Sequence, residues 1–384
     1  MKQEIIYPNY DNCVLNLITS VLKYYNVDTK YKGNKNLDEI LKKKFKNVVV
    51  FILDGMGSNL LKNTCPDGFF SRNKIEDITS VCPSTTTAVM NTYYSGKPPI
   101  ETGYIAWSQY FKEYGRTLDM FPRTDSYTGE KYKNARIDVF DILKYKSIFE
   151  QIEEASPNVK TYEMNHSSCD SRAKKWIKAD TVEDMCQVIE SLCKNDDNNF
   201  VFTYHISPDK ILHKKGCSSE EVKDFIIESD KLIEEMVKKL EGTNTLLIVC
   251  ADHGHNDIGK RYTALDLGEI NEYLIMPQSL ESRAVTFWVK EDKKEQFEKA
   301  FKEKFKDEFI LFTKKEFLQE HLLGYGEEHK KIDDFIGDYI AISISDAMIK
   351  IESNISPEKP DKLSTHCGFT ANEMIVPLIV KEIK

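Results

Sequence analysis

Val48-Val-Val-Phe-Ile-Leu53-Asp54-Gly55 is an unbroken apolar run, rich in β-branched residues, that ends on a carboxylate and a glycine. A strand with one wet face alternates apolar and polar residues, whereas a continuous run suits a strand buried on both faces, as in a parallel sheet covered by helices. Three further segments read as strands of that sheet: Val159 to Met164, Phe200 to Tyr204 and Leu246 to Val249. Between them lie helical patterns at Ser147 to Glu154, Thr181 to Cys193 and Val222 to Leu240, the last with Ser218 and Glu221 spaced as a capping box. Strands alternating with helices predict an α/β fold, a mostly parallel central sheet with helices on both faces. Such sheets bind ligands beyond the carboxyl ends of their strands. Asp54, Asp209 and Asp252 each follow a strand, so positions distant in sequence are expected to converge there.

The 384 residues suffice for a large buried core. From 281 to 349 the texture changes to short strands separated by Lys/Glu-rich helices, including Lys293 to Phe305, which reads as a small α+β insertion. The catalytic core then comprises residues 1–280 and 350–384. Between Tyr104 and Tyr132 aromatics are dense and aliphatics sparse, which suggests a surface excursion over the site. A formal charge of -9 argues against binding a nucleic-acid polymer. Nine cysteines without a C-x-x-C pair read as mostly reduced thiols. The N-terminal stretch reads as an amphipathic helix capped by Asn12, and no apolar run approaches the roughly 20 residues that span a bilayer. These features predict a cytoplasmic protein without membrane association.

Chemistry-bearing residues cluster at the strand ends. They are Asp54, the run Ser84-Thr85-Thr86-Thr87, Asp209 with His213, Asp252 with His253, and His366. Asp209 and His213 lie one helical turn apart, and Gly254 after Asp252-His253 permits a turn that points both side chains into one crevice. Alone, each motif has an ordinary structural explanation: a cap, a turn or a loop histidine. Jointly, carboxylate oxygens and imidazole nitrogens in this mixture suit a pair of divalent ions, zinc first and manganese second. A hydroxyl beside such a pair can act as a nucleophile, which points to phosphoryl transfer.

The chain resembles the alkaline phosphatase superfamily, and within it the bacterial type I phosphodiesterase/nucleotide pyrophosphatase group. The resemblance rests on Val48 to Gly55, Cys82-Pro-Ser-Thr-Thr86, Ser95-Gly96-Lys-Pro-Pro99, Pro208-Asp209 with His213 and Gly216, Ala251-Asp252-His253-Gly254, and His366 to Pro377, in the family's order. It implies that Asp209, His213 and His366 hold one metal, and that Asp54, Asp252, His253 and the nucleophile hold the other. In related enzymes the attacking threonine lies ten residues before the glycine of the following turn. Ten before Gly96 is Thr86, with Thr85 the second candidate. His255 and Cys367 read as neighbours of the ligands rather than ligands. Trp107 and Tyr110, in the aromatic excursion, are candidate substrate contacts. The expected activity is hydrolysis of a small phosphodiester or pyrophosphate through a phosphothreonine. The alternatives are a phosphomonoesterase or phosphonate hydrolase, or a metal-binding protein without turnover.

Overall fold

The computed structural model describes residues 4–131, 138–351 and 361–384. Tyr132, counted above among the aromatics, lies outside the described residues. At the centre is a seven-stranded sheet in the order Lys74–Thr79, Ile375–Ile383, Thr245–Cys250, Asn47–Leu53, Asn198–His205, Val159–Asn165 and Trp176–Lys178. Asn47–Leu53 pairs in parallel with both Asn198–His205 and Thr245–Cys250. Ile375–Ile383 is antiparallel to both of its neighbours. The sheet is thus mostly parallel, as expected. All seven residues of Asn47–Leu53 are buried, so both of its faces are covered. That is the physical cause of its unbroken apolar run.

The expected helices occur at Ile148–Ala155, Val182–Lys194 and Glu220–Lys239. Two caps differ from expectation. Ser219, not Ser218, caps Glu220–Lys239 by accepting from the Val222 amide. The N-terminal helix Val14–Tyr24 is capped at Cys13, whose amide donates to Asn16, while Asn12 turns away to donate to Glu76. In each case adjacent residues compete for one position, and the residue with extended backbone takes it.

A second seven-stranded sheet, antiparallel throughout, joins segments far apart in sequence. Its order is Phe309–Thr313, Tyr339–Ser343, Ala284–Phe287, Ser279–Glu281, Ser108–Phe111, Arg116–Asp119 and Thr124–Asp125. The aromatic excursion therefore continues the sheet of the 281–349 segment. Phe297, Phe301 and Phe305, at helical spacing on Lys294–Phe305, pack with Phe287 and Phe309 in a core of their own. A fully buried ion pair fastens this sheet to the central one: Arg283 grips Glu373 with two hydrogen bonds of 2.7 Å.

Candidate metal centre

The parallel strands deliver their carboxylates to one edge. Asp54 follows Asn47–Leu53 directly, and Gly55 turns the chain there with φ +79. A Cβ on Gly55 would lie 3.1 Å from Asp209, so the glycine also permits the close approach of that segment. The Asp209 amide donates to the Asp54 carbonyl at 2.8 Å, tying the two together. Asp209 opens the helix Asp209–Lys215 and His213 lies one turn on. After Thr245–Cys250 come Asp252 and His253. Here Gly254 packs so tightly that a Cβ would sit 2.0 Å from the Asn372 carbonyl oxygen. His366 arrives from the other direction, because Ser364–Thr365 pairs with Asn256–Asp257 just beyond His255.

Two groups of donors result. In one, Asp54, Asp252 and His253 place ligand atoms within 4.8 Å of one another. Asp252 Oδ1 accepts from the amides of Gly55 and His253, which leaves Oδ2 aimed at the crevice. Asp54 Oδ2 accepts from the Tyr204 hydroxyl. Asp54 Oδ1 and Asp252 Oδ2 are both buried without a hydrogen-bond partner among the described residues. Burial, then the charges of Asp252 and Asp209, push the Asp54 carboxyl well above the usual carboxylate range. Two converging carboxylates with orphaned oxygens are costly unless a cation neutralises them, so this set fits a divalent ion.

The second group surrounds Asp209 Oδ1, with His255 Nε2 at 2.6 Å, His213 Nε2 at 3.2 Å and His366 Nε2 at 3.7 Å. Burial opposes ionisation of Asp209, but His213, His255 and His366 outweigh it and hold the carboxyl well below its usual range. Burial pushes His213 down to about 3 against the pull of Asp209, and also lowers His255 and His366. Neutral imidazoles around an ionised carboxylate are the protonation state a metal requires.

Of the four hydroxyls from Ser84 to Thr87, only that of Thr86 reaches the donors. It lies 3.3 Å from His253 Nε2 and 3.5 Å from Asp54 Oδ2. Thr85, the N-cap residue of the helix Thr86–Ser95, donates instead to Glu281 at 2.8 Å. The Ser84 and Thr87 hydroxyls are buried. Thr86 thus occupies the first turn of a ten-residue helix, where free amides and the helix dipole favour an anion.

The donors open into a cavity of about 890 Å³ whose walls include Trp107, Phe121, Arg172, Lys210, Lys214 and Lys362. Trp107 packs against Phe121 with ring centroids 5.6 Å apart and planes inclined by 60°. Tyr110 is a correction: it lines a separate cavity of about 440 Å³ and packs edge-on against Trp288. Trp107 precedes the strand Ser108–Phe111, whose alternation sends Gln109 and Phe111 into the core and Tyr110 to the opposite face.

The structure thus gathers Asp54, Thr86, Asp209, His213, Asp252, His253 and His366 at one edge of the sheet. His255, expected as a neighbour of the ligands, meets Asp209 Oδ1 at 2.6 Å, while sequence reasoning passed over Tyr204 and Glu281. For Tyr204 the signal was register: it stands opposite Ile52, two residues before Asp54. Glu281 joins the Thr85 hydroxyl and the Trp107 amide across the two sheets, which no local pattern announces.

Residues 48–366 match the family model described as type I phosphodiesterase / nucleotide pyrophosphatase. A search of curated proteins by sequence found no significant match. Among solved structures, the chain is similar to an inactive variant of murine ectonucleotide pyrophosphatase / phosphodiesterase 5 in complex with AMP, with TM-score 0.62, 17% identity, and coverage of 86% of this chain and 87% of that one. It is also similar to the human protein of the same name, with TM-score 0.62, 15% identity, and coverage of 86% and 87%. Phosphonoacetate hydrolase from Sinorhizobium meliloti, in complex with phosphonoformate, matches with TM-score 0.63, 15% identity, and coverage of 87% and 89%.

Proposed function

For a chain that belongs to the type I phosphodiesterase / nucleotide pyrophosphatase family, and is thereby a hydrolase of phosphoric esters, we propose cleavage of a small phosphodiester or pyrophosphate with Thr86 as nucleophile. The observation that carries this reading is the Thr86 hydroxyl, at a helix N-terminus and within 3.5 Å of Asp54 and 3.3 Å of His253, facing the cavity. Thr86 Oγ attacks phosphorus and the ester oxygen leaves; water then hydrolyses the phosphothreonine, so two inversions give net retention. The amides of the first helical turn receive the phosphoryl oxygens. Asp54, Asp252 and His253 would hold one divalent ion, and Asp209, His213 and His366 a second. Two such ions, zinc by the character of the donors, supply Lewis acidity to the attacking and leaving oxygens. Tyr204 orients Asp54, and the amides of Gly55 and His253 donate to the Asp252 carboxylate and hold it in place.

The Trp107–Phe121 wall supports an organic leaving group of apolar character. A second reading, a monoester or phosphonate carrying another anionic group, is favoured by the cationic side chains of Arg172, Lys210, Lys214 and Lys362 in the same cavity. A cytoplasmic location is also proposed, supported by nine cysteines that all stand as free thiols. No helix among the described residues is long and apolar enough to cross a membrane.

The test is hydrolysis of a chromogenic diester and the matching monoester by zinc-loaded wild type and Thr86→Ala. Diester cleavage that falls by on the order of 10³ or more in the variant, at unchanged metal content, supports the proposal. Preference for the monoester selects the second reading, and full activity in Thr86→Ala refutes the nucleophile.

A further inference from the structure

Arg172 differs from the other cations of the large cavity. Lys210, Lys214 and Lys362 are exposed, so water already solvates their ammonium groups. The Arg172 side chain is largely withdrawn from solvent: its guanidinium lies over the Phe140 ring, 4.2 Å from the centroid, and meets the Tyr145 hydroxyl. A charge taken out of water is costly unless an opposite charge answers it. Among the described residues no carboxylate pairs with Arg172. The carboxylates that line the cavity are engaged elsewhere: Asp170 with Arg123 at 2.7 Å, Asp361 with Lys350 at 3.1 Å, and Asp54 and Asp209 in the metal centre. Arg123 also lies over Phe140, at 4.5 Å, so one ring carries two arginines of which only Arg123 has its counter-ion.

The backbone beneath Arg172 is held firmly. Fully buried Glu163 accepts from the main-chain amides of Arg172 and Ala173, the latter at 2.9 Å, and from the Ser171 hydroxyl at 2.8 Å. Its carboxylate is thus spent on the loop. Beyond Tyr145, the guanidinium has only the Ser171 carbonyl, a long 3.4 Å from Nη1. A guanidinium carries five N–H donors in a planar fork, so most of this fork is free to face the cavity. No contact joins Arg172 to Thr86 or to a metal donor among the described residues. We propose that Arg172 is a specificity-determining residue that binds an oxyanion, carboxylate or phosphate, carried by the substrate away from the reacting phosphorus. The fork matches the paired oxygens of either group. The substrate class is then a phosphoester whose organic part bears a second anionic group. This inference rests on the proposed function in one respect, that the substrate fills this cavity.

Steady-state hydrolysis by the zinc-loaded full chain tests it, with p-nitrophenyl phosphodiesters that differ only at the end of a short alkyl arm: methyl, carboxylate or phosphate. Wild type is expected to show a KM about tenfold or more lower for at least one charged arm than for the methyl arm, at similar kcat. The arm preferred identifies the oxyanion. Arg172→Met should abolish that advantage and leave the methyl-ended diester unaffected, while Arg172→Lys, which keeps the charge but not the fork, should retain part of it. Equal losses on all three arms overturn the inference, because Arg172 then serves the reacting phosphoryl group or the wall alone. An undiminished advantage in Arg172→Met also overturns it and assigns the oxyanion to the exposed lysines, and the absence of any advantage in wild type removes the subsite. Should Arg172→Met fail to fold, Arg172→Lys decides, since full retention of the advantage there overturns the role of the fork. If wild type cleaves none of the diesters, the proposed function falls, and calorimetry with the matching ω-hydroxy acid and ω-hydroxyalkyl phosphate judges Arg172 by itself. Binding about tenfold tighter to wild type than to Arg172→Met sustains the oxyanion site, and equal affinities overturn it.

Discussion

Replacing Arg283 by methionine removes the cation of the ion pair that joins the two sheets. Both partners are fully buried, and the pair is bidentate at 2.7 Å. The other Arg283 contacts, to the Ala347 and Ser345 carbonyls at 2.7 and 2.8 Å, are replaceable. Ala347 keeps the Ser343 hydroxyl, and Ser345 keeps the Asn256 amide. The loss is therefore mainly that of a buried carboxylate without a counter-ion, about 3–5 kcal/mol. Total stabilities run about 5–15 kcal/mol, so this is a large share of what holds the chain folded. The second substitution Glu373→Gln discharges the orphan and keeps an acceptor oxygen for the Gly368 amide, while its NH2 group faces the Thr370 hydroxyl, which can turn to accept from it. The double variant should recover at least about 2 kcal/mol, since removing both charges of a buried pair costs far less than removing one. Urea unfolding at fixed metal content, followed by circular dichroism and tryptophan fluorescence, measures both. Metal affinity should fall with the single variant, because Glu373 also anchors Gly254 through its carbonyl and Gly368 through its carboxylate, adjacent to the His253 and His366 segments. Destabilisation by Arg283→Met of less than about 1 kcal/mol, or a double variant no more stable than the single, would refute the reasoning.

Gly254→Ala forces a methyl to within 2.0 Å of the Asn372 carbonyl oxygen; we expect destabilisation of about 3 kcal/mol or more and loss of the ion beside His253, read by melting and metal analysis. Trp107→Ala should raise KM several-fold with little change in kcat, whereas Tyr110→Ala, in the other cavity, should leave both unchanged; equal effects in steady-state kinetics would contradict the assigned walls. In the metal-free protein the raised Asp54 carboxyl binds its proton more tightly folded than unfolded. It therefore contributes stability at low pH that is lost as pH rises from about 4 through the raised value. Asp54→Asn removes that loss, so its stability relative to wild type should grow with pH over this window in denaturant titrations, and a gap independent of pH would count against the shift.

The centre of the fold was legible because burial on both faces leaves a continuous apolar signature. Asn47–Leu53 and Thr245–Cys250 differ from expectation by a residue at their ends. Donors immediately beyond such strands inherit their position from the sheet, which is why Asp54 and Asp252 could be placed from local sequence. The second sheet was not legible as one object. Its Leu280–Ser108 pairing closes a loop of some 170 residues, and neither segment encodes the other. Tyr110 failed for a related reason: the face it takes depends on which residue begins the strand, and a shift of one position reverses it.

His255 shows a different limit. Sequence spacing tells which side chains can share a crevice, but not which distant partners orient them there. His255 Nδ1 meets the hydroxyl of Ser364, a residue 109 positions away that is held in place by the Leu212 carbonyl of the Asp209–Lys215 helix. The same serine's carbonyl fixes His213. One residue thus orients two imidazoles around Asp209, and it does so from the strand Ser364–Thr365 that also delivers His366. Assembly of this donor group therefore depends on docking of a single two-residue strand, which couples the chemistry of the centre to the return of the chain from the second sheet.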